Sequence, residues 1–303
     1  VAALMLLLGG ATAQADTNFA TPQPRETLDM AKAGGGPSGV PAPKQEEMDE
    51  AHARALQLWH GGVPNDGADE ILAQLRRAAE HGHPRSQNLL GNFLDKGRLM
   101  PRDQAEAAKW YEKAAAQGLA TAQFNAGLMY RAGTGVPRDQ ARAFYWLEQA
   151  AKQESPQAQY LVAMMLEEGV GVERDVPAAM RWYTQAAEQG YAPAQHNLAL
   201  AYASGQGGPR NDRAAVKWYR SAAAKGQPLS QLQLARALAE GHGAPRDEAA
   251  AYVWARVAAA NSWGNQALQQ AANELAARLA RFLSPAQLEK AARDIEVELR
   301  RHG

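Results

Sequence analysis

Four glycine-bearing loops and the arginine that follows each are the first places in this 303-residue chain to look for chemistry. Gly133-x-Gly135, Gly169-x-Gly171, Gly205-x-Gly207 and Gly241-x-Gly243 have the spacing that opens a phosphate-cradling turn, in which glycine lets backbone N–H groups close around an anion. The third glycine of such a turn is missing, however, because Arg138, Arg174, Arg210 and Arg246 stand in its place. No strand-like run precedes the loops, and the chain has no Gly-Lys pair. Turn geometry is the reading that remains. The arginines, joined by Arg102, are read as solvated or paired with a carboxylate near the next helix start, with an anion-binding ladder as the alternative.

Other chemistries find little support. Histidines stand at 52, 60, 81, 83, 196, 242 and 302; only His81-Gly-His83 is paired and there is no His-Glu-x-x-His helix, so no metal site is expected. No cysteine is present, which removes disulfides, thiolate ligands and a cysteine nucleophile. Neither a Gly-x-Ser-x-Gly elbow nor a Ser-x-x-Lys pair occurs. The formal charge is zero, so no net positive field gathers nucleic acid. No catalytic residue is assigned and no cofactor is expected.

What the loops share is their phase. Trp110, Trp146, Trp182, Trp218 and Trp254 recur every 36 residues, and Gly97, Gly133, Gly169, Gly205 and Gly241 keep the same step, as do Gln87, Gln123, Gln159, Gln195 and Gln231. Self-similarity at this period marks a solenoid of units that cannot bury their apolar faces alone. Gln123, Ala126, Gly127 and Tyr130, then Ala143, Trp146, Leu147, Ala150 and Ala151, follow helical spacing, so each unit holds two helices. The glycine ends the first helix. Asp103, Asp139, Asp175, Asn211 or Asp247 caps the second, with a reciprocal box available between Asp103 and Glu106. The tryptophans are read as core between hairpins; on that expectation Trp182→Ala costs about 3–5 kcal/mol.

The segments GLMYRAGTGVPRDQARAFYWLEQAAKQ, GVGVERDVPAAMRWYTQAAEQGYAPAQ and GQGGPRNDRAAVKWYRSAAAKG resemble the Sel-one-like repeat (SLR) family, a tetratricopeptide-like class. The resemblance implies an all-α fold, a right-handed α/α superhelix of helix-turn-helix repeats, and a role in assembling other proteins. Departures are Leu99 in a loop, Glu154 and Ser262 at the closing glycine, and Leu147 and Ala255 in place of tyrosine. By the same resemblance the first helix of each hairpin lines a concave groove, placing Phe124, Leu128, Arg131, Tyr160, Met164, Glu167, His196, Leu200 and Arg236 on its wall. These positions vary between copies while the frame does not; the competing reading makes Phe124, Leu128 and Met164 ordinary packing residues.

The expected organisation is an export signal over 1–15, a Pro/Gly-rich tether over 16–45, a degenerate capping repeat over 46–83, five repeats over 84–119, 120–155, 156–191, 192–227 and 228–263, and capping helices over 264–303. The apolar run VAALMLLLGG followed by Ala13-Gln14-Ala15 supports cleavage before Asp16. No Lys or Arg precedes the run, so an uncleaved anchor is the competing reading. The functional expectation is an exported, periplasmic adaptor that binds an envelope protein or peptide in the groove, with no nucleic acid and no membrane span in the mature chain. The alternative is an envelope hydrolase or glycan-binding protein using the same groove.

Overall fold

A short polar side chain ahead of the second helix and a glycine behind the first set the length of every hairpin. Asp103, Asp139, Asp175, Asn211 and Asp247 each accept a hydrogen bond, at 2.8–3.0 Å, from the backbone N–H three residues on, which satisfies a first-turn donor. Gly97, Gly133, Gly169, Gly205 and Gly241 end the first helices with φ of 64–76°, a left-handed conformation that glycine enters without steric cost. The Asp103 cap is one-sided. Glu106 turns outward instead of closing a reciprocal box, accepting from Trp110 Nε1 at 3.1 Å and lying 3.6 Å from Arg76. The reciprocal box forms at Ser284 and Gln287.

The computed structural model describes residues 43–61, 67–262 and 264–301. Residues 1–42, which carry the expected export signal and nearly all of the expected tether, lie outside the described residues. Among those described are fourteen helices and no strand. α1 (Gln45–Trp59) and α2 (Ala68–Glu80) precede five regular hairpins: α3 (Pro84–Lys96) with α4 (Gln104–Ala116), α5 (Ala120–Ala132) with α6 (Gln140–Lys152), α7 (Pro156–Glu168) with α8 (Val176–Glu188), α9 (Ala192–Ser204) with α10 (Asp212–Ala223), and α11 (Pro228–Glu240) with α12 (Glu248–Ala260). Then come α13 (Gln266–Ala280) and α14 (Pro285–Arg300). From α1 to α13 each helix packs on its chain neighbours, while α14 turns back onto α12, where Ala291, Ile295 and Leu299 cover Val253 and Val257. The fold is thus an all-helical solenoid.

Hairpins are joined by a ladder of buried amides. Gln87, Gln123, Gln159, Gln195 and Gln231 donate from Nε2, at 2.9–3.2 Å, to the carbonyls of Ala79, Ala115, Ala151, Ala187 and Ala223, in the last turn of the preceding helix. Their Oε1 atoms accept from the end of their own hairpin's second helix: Gln117 to Gln87, Gln153 to Gln123 and Gln189 to Gln159, each at 2.8 Å, and Asn261 to Gln231 at 3.2 Å. One rung is broken. Lys225 occupies the donor position and bonds the Gly190 carbonyl, leaving Gln195 Oε1 buried without a partner.

In the first two hairpins a glycine lets the residue after the tryptophan come close. A Cβ added at Gly91 would stand 2.8 Å from the Tyr111 ring, and one at Gly127 would stand 2.7 Å from Leu147 Cγ. Tyr111, Leu147, Tyr183, Tyr219 and Ala255 are all buried. Of the five tryptophans in phase, Trp110 is buried and the other four are half-buried. Trp146 and Trp218 each lie against two successive core clusters, so the rings bridge neighbouring hairpins from the side.

Two expectations follow for stability. Lys225→Gln restores the missing rung and should raise the free energy of unfolding by about 1 kcal/mol, the net worth of a buried hydrogen bond, measured by urea denaturation beside the wild type. Tyr183→Ala should cost about 3–5 kcal/mol and Trp182→Ala distinctly less, because Tyr183 is 2% exposed whereas Trp182 keeps one flank in solvent. An equal or larger loss for Trp182→Ala would contradict this division of labour.

Candidate partner-binding face

The first helices α5, α7, α9 and α11 carry the nine positions expected to face a partner, and their burial divides them. Phe124, Leu128, Tyr160, Met164 and Glu167 are half-buried, Arg131, Leu200 and Arg236 are exposed, and His196 is buried. Phe124, Tyr160 and Met164 pack on the central core cluster, so only part of each is offered outward. Leu200 is 46% exposed. The sequence reading passed over Leu229 on α11, which is 41% exposed although apolar; its only signal is a leucine where the other copies carry Arg85, Thr121, Gln157 and Pro193.

Two of the nine work inside the frame. Glu167 uses both carboxylate oxygens, accepting from the Tyr183 hydroxyl and from Gln206 Nε2, each at 2.7 Å. Asn197 Nδ2 donates to the same Tyr183 hydroxyl at 3.1 Å. Burial raises the Tyr183 phenol, and the bond to Glu167 raises it further. Tyr160 stacks edge-on to Tyr191 at 5.4 Å and tilts toward Tyr183 at 5.9 Å. Burial pushes the Tyr160 phenol up as well, and the charges of Glu167 and Arg131 both reach it. One neighbourhood therefore gathers Arg131 from α5, Tyr160 and Glu167 from α7, and Asn197 from α9. His196 shares a 2.8 Å hydrogen bond between Nδ1 and the Ser230 hydroxyl on the next hairpin, with its ring 5.9 Å from that of Tyr219.

Serine and histidine also meet in the N-terminal cap. His83 Nδ1 lies 2.7 Å from Ser86 Oγ and accepts from the Ser86 N–H, so Nε2 carries the proton and donates to Asp49 Oδ1 at 3.1 Å. The three residue types are those of a hydrolase triad, but Ser86 and Ser230 are both 0% exposed. No substrate carbonyl reaches either hydroxyl as they stand, and His83 serves as the N-cap of α3. Among the described residues no group of three His, Asp or Glu side chains is placed to hold a metal ion.

Four of the five loop arginines, Arg138 being the exception, are engaged at home. Arg102 and Arg174 donate from Nε, at 2.9 Å, to the carbonyls of Asp95 and Glu167 near the end of the preceding helix. Arg210 makes a two-point pair with Asp212, and Arg246 lies 2.7 Å from Glu248. They tie the loop to its flanking helices.

A family model for the Sel1 repeat matches residues 84–119, 120–155, 156–191, 192–227 and 228–262. The chain belongs to the Sel1 repeat family. Among solved structures it is similar to c5321, a protective antigen present in uropathogenic Escherichia coli strains that displays an SLR fold, with 31% identity, a TM-score of 0.71, and coverage of 83% of this chain and 54% of that one. The chain thus spans about half the length of that protein. A Sel1 repeat protein from Oxalobacter formigenes matches with 32% identity and a TM-score of 0.64, over 72% of this chain and 84% of that one. No curated protein sequence matches the chain. Among the described residues no helix is long and apolar enough to cross a membrane.

Burial lowers the His196 imidazole to about 4, below its value of about 6.5 in an unfolded chain. The unfolded state therefore binds the extra proton between those values. His196 favours folding fully above about pH 6.5, loses that contribution as pH falls toward 4, and adds no further slope below. The loss is on the order of 3 kcal/mol. His196→Phe should flatten this part of a plot of unfolding free energy against pH; an unchanged slope would show that His196 does not carry it.

Proposed function

We propose that this Sel1 repeat protein is an exported adaptor that holds a protein or peptide of the cell envelope against the first-helix face of its array. The observation that carries the reading is the contrast between frame and face. Gln, Gly, Asp and Trp recur in phase, while the corresponding face positions run Phe124, Tyr160, His196 and Leu128, Met164, Leu200, Arg236. A constant scaffold that presents changing, partly exposed apolar side chains beside Arg131 and Arg236 suits recognition through a few apolar anchors and a charged rim.

The apolar run and Ala13-Gln14-Ala15 favour export with a mature start at Asp16. Similarity to a protein described as a protective antigen agrees with a place outside the cytoplasm. A hydrolase reading finds no exposed nucleophile in the serine-histidine pairs described above.

Immobilised mature chain should capture its partner from an envelope extract, and the double variant Leu200→Glu with Arg236→Glu should recover it at least about tenfold less well, a loss of about 1.4 kcal/mol. Both side chains are exposed, so the melting temperature should stay within about 2 °C of wild type. Equal recovery by the two chains would overturn the assignment of this face.

A further inference from the structure

One loop of the array lies on its neighbour differently from its sisters, and a cleft opens there. In four of the five hairpins the residue after the second loop position is apolar and laid on the adjoining core: Met100, Val136, Val172 and Ala244. The fourth hairpin has Gly208 instead, exposed and with nothing within 4 Å of where its Cβ would stand. The glycine before it has moved too. A Cβ at Gly135, Gly171 or Gly243 would fall 2.1–2.2 Å from a backbone carbonyl at the start of the previous second helix, whereas at Gly207 it would meet the Met180 and Val176 side chains. The loop therefore rides on side chains where its sisters lie on backbone.

A cavity of about 450 Å³ results, lined by Met180, Arg181, Thr184, Ala201, Tyr202 and Gly208 among others. That volume is of the size of small-ligand and peptide subsites. Arg181 is the charged side chain in its lining, while Glu167, which accepts from Gln206 of the same lining, has both oxygens occupied. The first and second hairpins carry Glu112 and Glu148 where the third has Thr184, whose hydroxyl is turned into its own helix to donate to the Met180 carbonyl at 2.8 Å. Arg181 is exposed and makes no ion pair among the described residues. None of the nine first-helix positions lines this cleft.

We propose that the cleft between α8 and the α9–α10 loop is a second recognition site, a socket for an aliphatic side chain of a protein partner whose neighbouring residue is a carboxylate. The aliphatic side chain takes the place that Val136 and Val172 fill in their own loops. The carboxylate pairs with Arg181, whose planar guanidinium accepts two-point binding. This rests on the reading of the chain as an interaction scaffold and adds to it the chemistry of one segment of the partner.

Methionine-methyl NMR separates the two faces, because Met180 lines the cleft and Met164 lies on α7. The mature chain, labelled with carbon-13 at its methionine methyls, is titrated with an N-acetylated, C-amidated tetrapeptide of sequence glycine-valine-aspartate-glycine, and with versions carrying serine for valine or asparagine for aspartate. The Met180 resonance should shift and saturate with the first peptide. Its apparent Kd should rise at least about tenfold for each altered peptide, for Arg181→Gln and for Gly208→Val. Gly208→Val plugs the socket at a position with open space and no positive φ, and unchanged Met164 and Met165 resonances report that its fold is intact. A Met180 resonance that stays still, or that shifts equally in Gly208→Val, overturns the socket. A shift confined to Met164 overturns it as well while leaving the first-helix face standing, and loss of capture by the Leu200 and Arg236 variant bears on that face alone.

Discussion

A buried primary amide has to find partners for both of its ends, because each unpaired polar atom inside the protein costs on the order of 1–3 kcal/mol. Gln87, Gln123, Gln159 and Gln231 meet this demand by giving their N–H to the hairpin before and taking one from the end of their own. The bond to the earlier hairpin forms only when the two helices sit at one height and one rotation. Apolar stacking alone would tolerate a slide along the helix axis. The amide ladder does not, and it fixes the register in which Trp146 and Trp218 can lean across two clusters.

The same constraint explains the alanines. Ala79, Ala115, Ala151, Ala187 and Ala223 accept the glutamine bonds and are all 1% exposed or less. A longer side chain there would hold the next helix away and leave the amide short of its carbonyl. Position 225 shows the tolerance of the system. Lysine keeps a bond across the junction, to the Gly190 carbonyl, at the expense of the one that Gln195 Oε1 would accept.

Much of the fold could be read from residue types in phase, since capping and left-handed termination are local properties. Asp103, Asn211 and Gly133 announce themselves because the backbone within three residues dictates what they do. Partners eight or thirty residues apart are harder to read: the recurrence of Gln123 was visible, but not its bonds to Ala115 and Gln153. The indole was the conspicuous side chain, yet the more enclosed one sits beside it, where Tyr111 and Leu147 press on Gly91 and Gly127. On the candidate face the limit was orientation. Glu167 and His196 share helical spacing with Leu200, but the Tyr183 phenol and the Ser230 hydroxyl draw them inward, and those acceptors and donors come from other helices.

The end of the array is decided by α13 and α14. Asn261 closes the last amide rung, position 267 offers alanine where another glutamine would stand, and α14 lies across Val253 and Val257. A copy of this chain presented at that end meets no open amide and no bare stack to continue. A hairpin inserted between two existing ones brings its glutamine to an alanine carbonyl such as Ala187 or Ala223, whereas past Asn261 the alanine at position 267 can make no such bond.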